Sequence, residues 1–146
     1  MRAASVAEML ASHGVGPGDR IALWLNDGVE QLAAVFGCWS LGATFCVLPS
    51  FAGRTATDRS RARVESILSI LEPKLLLQGK GFQLPDVIAG LANTVELDLA
   101  ALPKCESRDP LADIATRPDS DMAFIQFTSG STGGNARGAV VRFGQL

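Results

Sequence analysis

The sequence predicts an α/β domain, a mainly parallel sheet with helices on both faces. Two observations carry this. Segments with apolar residues at helical spacing alternate with short apolar runs, and Gly or Pro punctuates most of the junctions. The short runs are nearly continuous rather than alternating, as strands covered on both faces are. The chain has 146 residues, 47% of them apolar and 19% charged, a profile that buries one core and is not disordered.

Val6, Met9, Leu10 and His13 fall on one helical face, and Gly14 with Gly16-Pro17-Gly18 ends that helix. Ile21 to Leu25 is a short apolar strand, and Asn26-Asp27-Gly28 turns out of it. Asp27 and Glu30 have the spacing of a capping pair for the next helix. Leu32, Val35, Phe36 and Trp39 follow at i, i+3, i+4 and i+7, widened by Ala33, Ala34 and Cys38, so this helix is expected to be well buried up to Gly42. Ala43 to Leu48 reads as a second strand stopped by Pro49, and residues 53–58 as a polar turn. Val64, Ile67, Leu68 and Leu71 give a third helix, closed before Pro73; the arginines from Arg54 to Arg63 read as its solvated start. Lys74 to Gln78 is a third strand, Pro85 to Leu91 a short helix and Thr94 to Leu97 a fourth strand. From Ala101 to Asp121, Pro103, Pro110 and Pro118 punctuate a charged stretch that reads as a long surface connection. Asp109, Asp113, Asp119 and Asp121 are expected to lie on it in solvent. Met122 to Phe127 forms the strongest late strand, Gly138 to Phe143 another, and Gly144 begins a further helix.

Composition excludes several functions. A net charge of −2 argues against a general nucleic-acid binder, which is usually basic. One histidine, His13, rules out a histidine-rich metal site, so no metal ligand is assigned. Cys38, Cys46 and Cys105 lie far apart with no CxxC spacing; free thiols in a reducing cytoplasm are the expectation. No run is long enough to span a membrane, and the N-terminus lacks the apolar core of a secretory signal. Trp24, Trp39, Phe36 and Phe124 are expected in the core.

The chemistry concentrates in Thr128-Ser129-Gly130-Ser131-Thr132-Gly133-Gly134, with Arg137 and Gly138 just beyond. Glycines let backbone N–H groups turn inward and approach an anion closely, and such nests hold phosphate without formal charge. The hydroxyls of Ser129, Ser131 and Thr132 add donors, and Arg137 adds a planar fork. In open parallel sheets ligands bind beyond the carboxyl ends of strands, where this loop falls. A P-loop would need a Gly-Lys-Ser/Thr triplet, which the chain lacks. An ordinary Gly/Ser connection is the plain alternative.

The run Phe124 to Gly133 resembles the signature of adenylate-forming, AMP-binding acyl ligases: an apolar strand, T-S-G-[ST]-T-G, then a spacer ending in Lys-Gly. Gly16 to Leu23 is similar to that family's G-D-R-V-A-L stretch, and Phe36 to Ala43 with Val47-Leu48-Pro49 to its helix ending in Gly-Ala and the following strand. Gln126 and the region Phe51 to Leu68 look most like the fatty acyl-AMP ligase branch, near the acyl-CoA synthetases. The chain departs from the pattern in its longer spacer, in Arg137 for the lysine, and in Phe143 where many relatives have histidine.

The resemblance implies that residues 1–146 are part of a large AMP-binding N-terminal domain, with 101–121 as a surface connection and 128–138 as the phosphate-binding loop. Thr128, Ser129, Gly130, Ser131, Thr132, Gly133, Arg137 and Gly138 would hold the phosphates of ATP, with Mg²⁺ as companion ion. The implied reaction activates a carboxylic acid, a fatty acid in this branch, as acyl-adenylate for transfer to coenzyme A or an acyl carrier protein. In the family the adenine and ribose motifs, acyl pocket, metal-binding glutamate and C-terminal lysine lie downstream of this loop. The chain is therefore expected to be a fragment that does not catalyse the whole reaction alone, and no catalytic residue is assigned. The alternative is a truncated, non-catalytic module that binds nucleotide or a partner.

Overall fold

The computed structural model describes residues 2–25, 28–49, 58–81, 90–128 and 136–146, with the side chains of 58 and 59 excepted. In chain order the elements are α1 (Arg2–Ser12), β1 (Arg20–Trp24), α2 (Val29–Ser40), β2 (Thr44–Val47), α3 (Asp58–Leu71), β3 (Leu75–Gly79), β4 (Thr94–Leu97), α4 (Pro110–Ala115), β5 (Met122–Thr128) and β6 (Arg137–Arg142). A 3₁₀ turn, Phe143–Gln145, stands where a further helix was expected to begin. The expected helix at Pro85 to Leu91 and the turn at 53–58 fall almost wholly outside the described residues.

The strands form one six-stranded sheet in the order β4-β3-β1-β2-β5-β6. Every neighbouring pair is parallel except β5 with β6, which is an antiparallel hairpin. From β1 the chain crosses to β2 on one side, and from β2 back past β1 to β3 on the other. Right-handed crossovers in opposite directions put their helices on opposite faces. The core divides accordingly, because successive strand residues face opposite ways. Ile21, Leu23, Leu75 and Leu77 pack with α1 and α2, whereas Ala22, Trp24, Cys46 and Leu76 pack with α3. The near-continuous apolar strands are thus covered on both sides, as expected. Trp24 is buried, and Trp39, Phe36 and Phe124 are half-buried.

One local reading lies outside the described residues and another needs correction. The N-cap position of α2 is Gly28; the expected Asp27–Glu30 capping pair falls on Asp27, which lies outside the described residues. The 101–121 connection contains α4, whose first turn is capped by Asp109, its carboxylate accepting from Leu111 N and Ala112 N. This connection is also tied to the helices it crosses. Arg108 pairs with Glu8 of α1 at 3.3 Å and with Asp113 at 3.2 Å, so Asp113 is not a purely solvated carboxylate. The Arg117 Nη2 group donates to Ser40 O at 2.6 Å.

Asp19 closes the turn that leads into β1. Its Oδ2 accepts from Gly16 N at 2.8 Å and from Lys74 Nζ at 2.7 Å, joining the entries of β1 and β3. The Lys74 hydrogen bond holds the carboxyl below its usual range, although partial desolvation opposes it. A carboxyl with a lowered folded pKa stabilises the fold above its unfolded pKa and loses that contribution as pH falls through the folded value. Asp19→Asn is therefore expected to cost about 0.5–1 kcal/mol at pH 7, as partly exposed pairs do. Urea unfolding of the two proteins should converge as pH drops below about 4; an undiminished difference at pH 2 would remove the charge from this account.

Candidate functional site

β5 and β6 present the glycine-rich segment at the carboxyl edge of the sheet, beside the end of β2. Their register pairs Thr128 with Arg137, Phe127 with Gly138 and Gln126 with Ala139, so Thr128 and Arg137 are the last registered pair before the connection between the two strands. Of the eight assigned residues, the structure places three: Thr128 closes β5, and Arg137 and Gly138 open β6. Ser129, Gly130, Ser131, Thr132 and Gly133 lie outside the described residues.

The three placed residues have different local reasons. Thr128 and Arg137 are exposed and register side by side, a hydroxyl and a cation framing the segment between them. Arg137 forms no ion pair among the described residues. Gly138 has a packing reason of its own. A Cβ there would stand 2.9 Å from Ile125 Cγ2 and 3.2 Å from Phe127 Cζ, so a side chain would make these two shift regardless of any ligand.

A cleft of about 600 Å³ opens beside the hairpin, lined by α2, the end of β2, α3 and β5. It lies in the size range of small-molecule sites. β2 and β5 register at a single pair, Phe45 with Phe124, and residues of both strands beyond that pair line the cleft. Its walls are mostly apolar, with Trp39, Phe45 and Phe127 among them. Arg63 of α3 also lines it and is exposed, in keeping with the solvated helix start read from the sequence.

Cysteine and metal chemistry find no support in the described residues. Burial pushes the thiols of Cys38 and Cys46 up to about 12, which leaves them protonated and unreactive at neutral pH. All three cysteines are free. No group of three or more His, Cys, Asp or Glu side chains among the described residues converges on a metal position. No described helix is long and apolar enough to cross a membrane.

A mostly parallel sheet with helices on both faces, closed at one edge by an antiparallel hairpin, places the chain in the open α/β class. The chain belongs to the AMP-binding enzyme family, which it matches over residues 1–146. It is 29% identical over 136 residues to surfactin synthase subunit 1 of Bacillus subtilis, a match covering 90% of this chain and 4% of that protein. It is 31% identical over 134 residues to phenyloxazoline synthase MbtB of Mycolicibacterium paratuberculosis, covering 90% of this chain and 10% of that one. Among solved structures, a fatty acyl-adenylate ligase from a study of the E. coli and L. pneumophila enzymes superposes with a TM-score of 0.75 at 26% identity. That superposition covers 97% of this chain and 25% of the other. The O-succinylbenzoate coenzyme A synthetase of Bacillus subtilis, solved with AMP, shares the fold with a TM-score of 0.69 at 22% identity, over 98% of this chain and 34% of that one. The chain thus spans a tenth or less of these curated relatives and a quarter to a third of these solved neighbours. The family expected from the Thr128–Gly133 signature is the one found.

Proposed function

We propose that this chain supplies the ATP phosphate-binding part of an enzyme that activates a carboxylic acid as its acyl-adenylate. The observation that carries the reading is the last registered pair of the hairpin. Thr128 and Arg137, the latter without an ion pair among the described residues, flank the Ser129–Gly133 segment at the carboxyl edge of the sheet in a chain of the AMP-binding family. When a carboxylate attacks the α-phosphorus of ATP, pyrophosphate leaves and negative charge gathers on the phosphate oxygens. Preorganised amides, hydroxyls and a guanidinium stabilise that charge without reorganising during the step. In this reading Thr128, Ser129, Gly130, Ser131, Thr132 and Gly133 embrace the β- and γ-phosphates and Arg137 adds positive charge. Mg²⁺ accompanies the nucleotide, and the acyl group passes afterwards to a thiol of coenzyme A or a carrier protein.

A fatty acid is the proposed substrate class. Gln126 before Phe127 and Thr128 supports it, and so does the fold shared with the fatty acyl-adenylate ligase. Three free cysteines suit a reducing compartment, consistent with work in the cytoplasm.

Calorimetric titration of the chain with ATP, pyrophosphate and AMP tests the reading. Saturable binding of ATP and pyrophosphate is expected, with AMP at least tenfold weaker, because the loop grips the outer phosphates. Equal affinity for ATP and AMP, or no binding of any of the three, would overturn it. Acid-dependent pyrophosphate release by this chain alone is not expected, and measurable turnover would show that more of the machinery is present here than the reading allows.

A further inference from the structure

The hairpin that carries the loop is held to the rest of the sheet along one side only, through β2, and there the ladder consists of one registered pair. Two side chains add to that attachment. The indole Nε1–H of Trp39 donates to Ala123 O at 2.9 Å, and the Thr44 hydroxyl donates to Met122 O at 3.0 Å. Trp39 is on α2 and Thr44 on β2, so both reach the root of β5 from elements already fixed in the core.

The root is also where the hairpin is irregular. Met122 pairs with Arg142, but Phe124 pairs with Val141, which leaves Ala123 as the extra residue of a β-bulge. A bulge leaves its extra residue unpaired, bends the strand and re-aims the residues beyond it. Trp39 bonds the carbonyl of that residue, and its ring packs against Phe45 and Phe143, each with centroids 5.7 Å away. Phe45 in turn stacks on Phe124 at 5.8 Å. Thr44 is almost fully buried, so removing its hydroxyl strips the Met122 carbonyl of a partner that water does not readily replace.

We propose that Trp39 and Thr44 are positioning residues that set the direction of β5 and thereby place the phosphate loop. The proposal rests on the phosphate-binding reading of that loop. Thr128 lies five residues beyond Ala123, about 17 Å at ~3.3 Å per residue. Over that length, a rotation of about 5° at the bulge moves Thr128 by about 1.5 Å. A misplacement of about 1 Å at a reacting centre is enough to cost on the order of 100-fold in rate.

The test uses the full chain with Trp39→Phe, which keeps an aromatic ring and loses the N–H donor, and Thr44→Val, which keeps the shape and loses the hydroxyl. Thr44→Ser retains the hydroxyl and serves as the rescue. Amide hydrogen exchange and pyrophosphate titration are read together. The first two variants should speed exchange at residues 124–128 and 137–141 about tenfold, leave β1 and β3 unchanged, and weaken pyrophosphate binding about tenfold. Thr44→Ser should stay within about twofold of the parent in both. Unchanged exchange in the hairpin, exchange raised equally in β1 and β3, or Thr44→Ser behaving like Thr44→Val would overturn the assignment. If the unaltered chain does not bind pyrophosphate, the phosphate role is overturned, while the exchange pattern still decides whether these two residues anchor the hairpin.

Discussion

Arg137→Ala is expected to weaken ATP binding by roughly 10- to 100-fold while leaving the unfolding temperature unchanged. The two halves of that expectation have separate grounds. Arg137 is exposed and forms no ion pair among the described residues, so the fold does not draw on its charge. A charge-assisted hydrogen bond is worth about 1.5–3 kcal/mol, and about 1.4 kcal/mol is a factor of ten in affinity. Arg137→Lys keeps the charge but gives up the planar fork, so a loss below tenfold is expected. Thr132→Ala, within the segment itself, should also weaken binding, in line with one hydroxyl donor lost. Calorimetric ATP titration beside thermal unfolding separates the effects. ATP affinity unchanged in both Arg137→Ala and Thr132→Ala would remove the loop from the phosphate site.

Gly138 shows why such variants must be chosen with care. The sequence groups it with the phosphate residues, but a side chain there would also make Ile125 and Phe127 shift. A loss of binding in Gly138→Ala would therefore say nothing specific about phosphate.

What could be read from the sequence was local. Apolar spacing at Val64, Ile67, Leu68 and Leu71 located α3, and the run Ile21 to Leu25 located β1 within one residue of its observed span. The six-residue α4 completes too few turns to display a stripe, and a surrounding stretch of prolines and charges masked it. Asp109 before Pro110 was a usable sign, since an aspartate N-cap followed by proline in the first turn marks a helix start. Long-range facts left no such trace. The position of β5 beside β2 depends on contacts such as Trp39 with Ala123, 84 residues apart. The spacing set Leu32, Val35, Phe36 and Trp39 as the buried face of α2, but Leu32 is exposed and the fully buried residues are Ala33, Ala34, Gly37, Cys38 and Ser40; nor can spacing show which strand the Trp39 indole N–H will reach. The cleft likewise arises where α2, the end of β2, α3 and β5 meet, so its apolar walls were not legible in advance.

Gly42→Ala is expected to destabilise the fold by about 3 kcal/mol through two effects that can be measured apart. Gly42 ends α2 at φ +71°, a left-handed conformation that costs an L-residue about 1–2 kcal/mol. The residue is held there from both sides: its N–H donates to Trp39 O at 3.0 Å, and its carbonyl accepts from Gly18 N at 2.9 Å. A Cβ at this position would overlap Arg117 Nη1 and stand 3.0 Å from Arg117 Cζ. The guanidinium, at the far end of a flexible side chain, would have to shift, which strains the 2.6 Å bond from Arg117 Nη2 to Ser40 O that ties the 101–121 connection to α2. A charge-assisted bond of this kind is worth about 1.5–3 kcal/mol in full, and straining it forfeits part of that, about 1–1.5 kcal/mol. For a chain of this length, each kcal/mol lowers the unfolding temperature by about 2–4 °C, so a drop of roughly 6–12 °C is expected. In an Arg117→Ala background the obstruction is gone, and the same substitution should cost only the backbone share of about 1–2 kcal/mol. A cost that is equal in the two backgrounds would mean that Arg117 does not require glycine at position 42, and that the backbone conformation alone does.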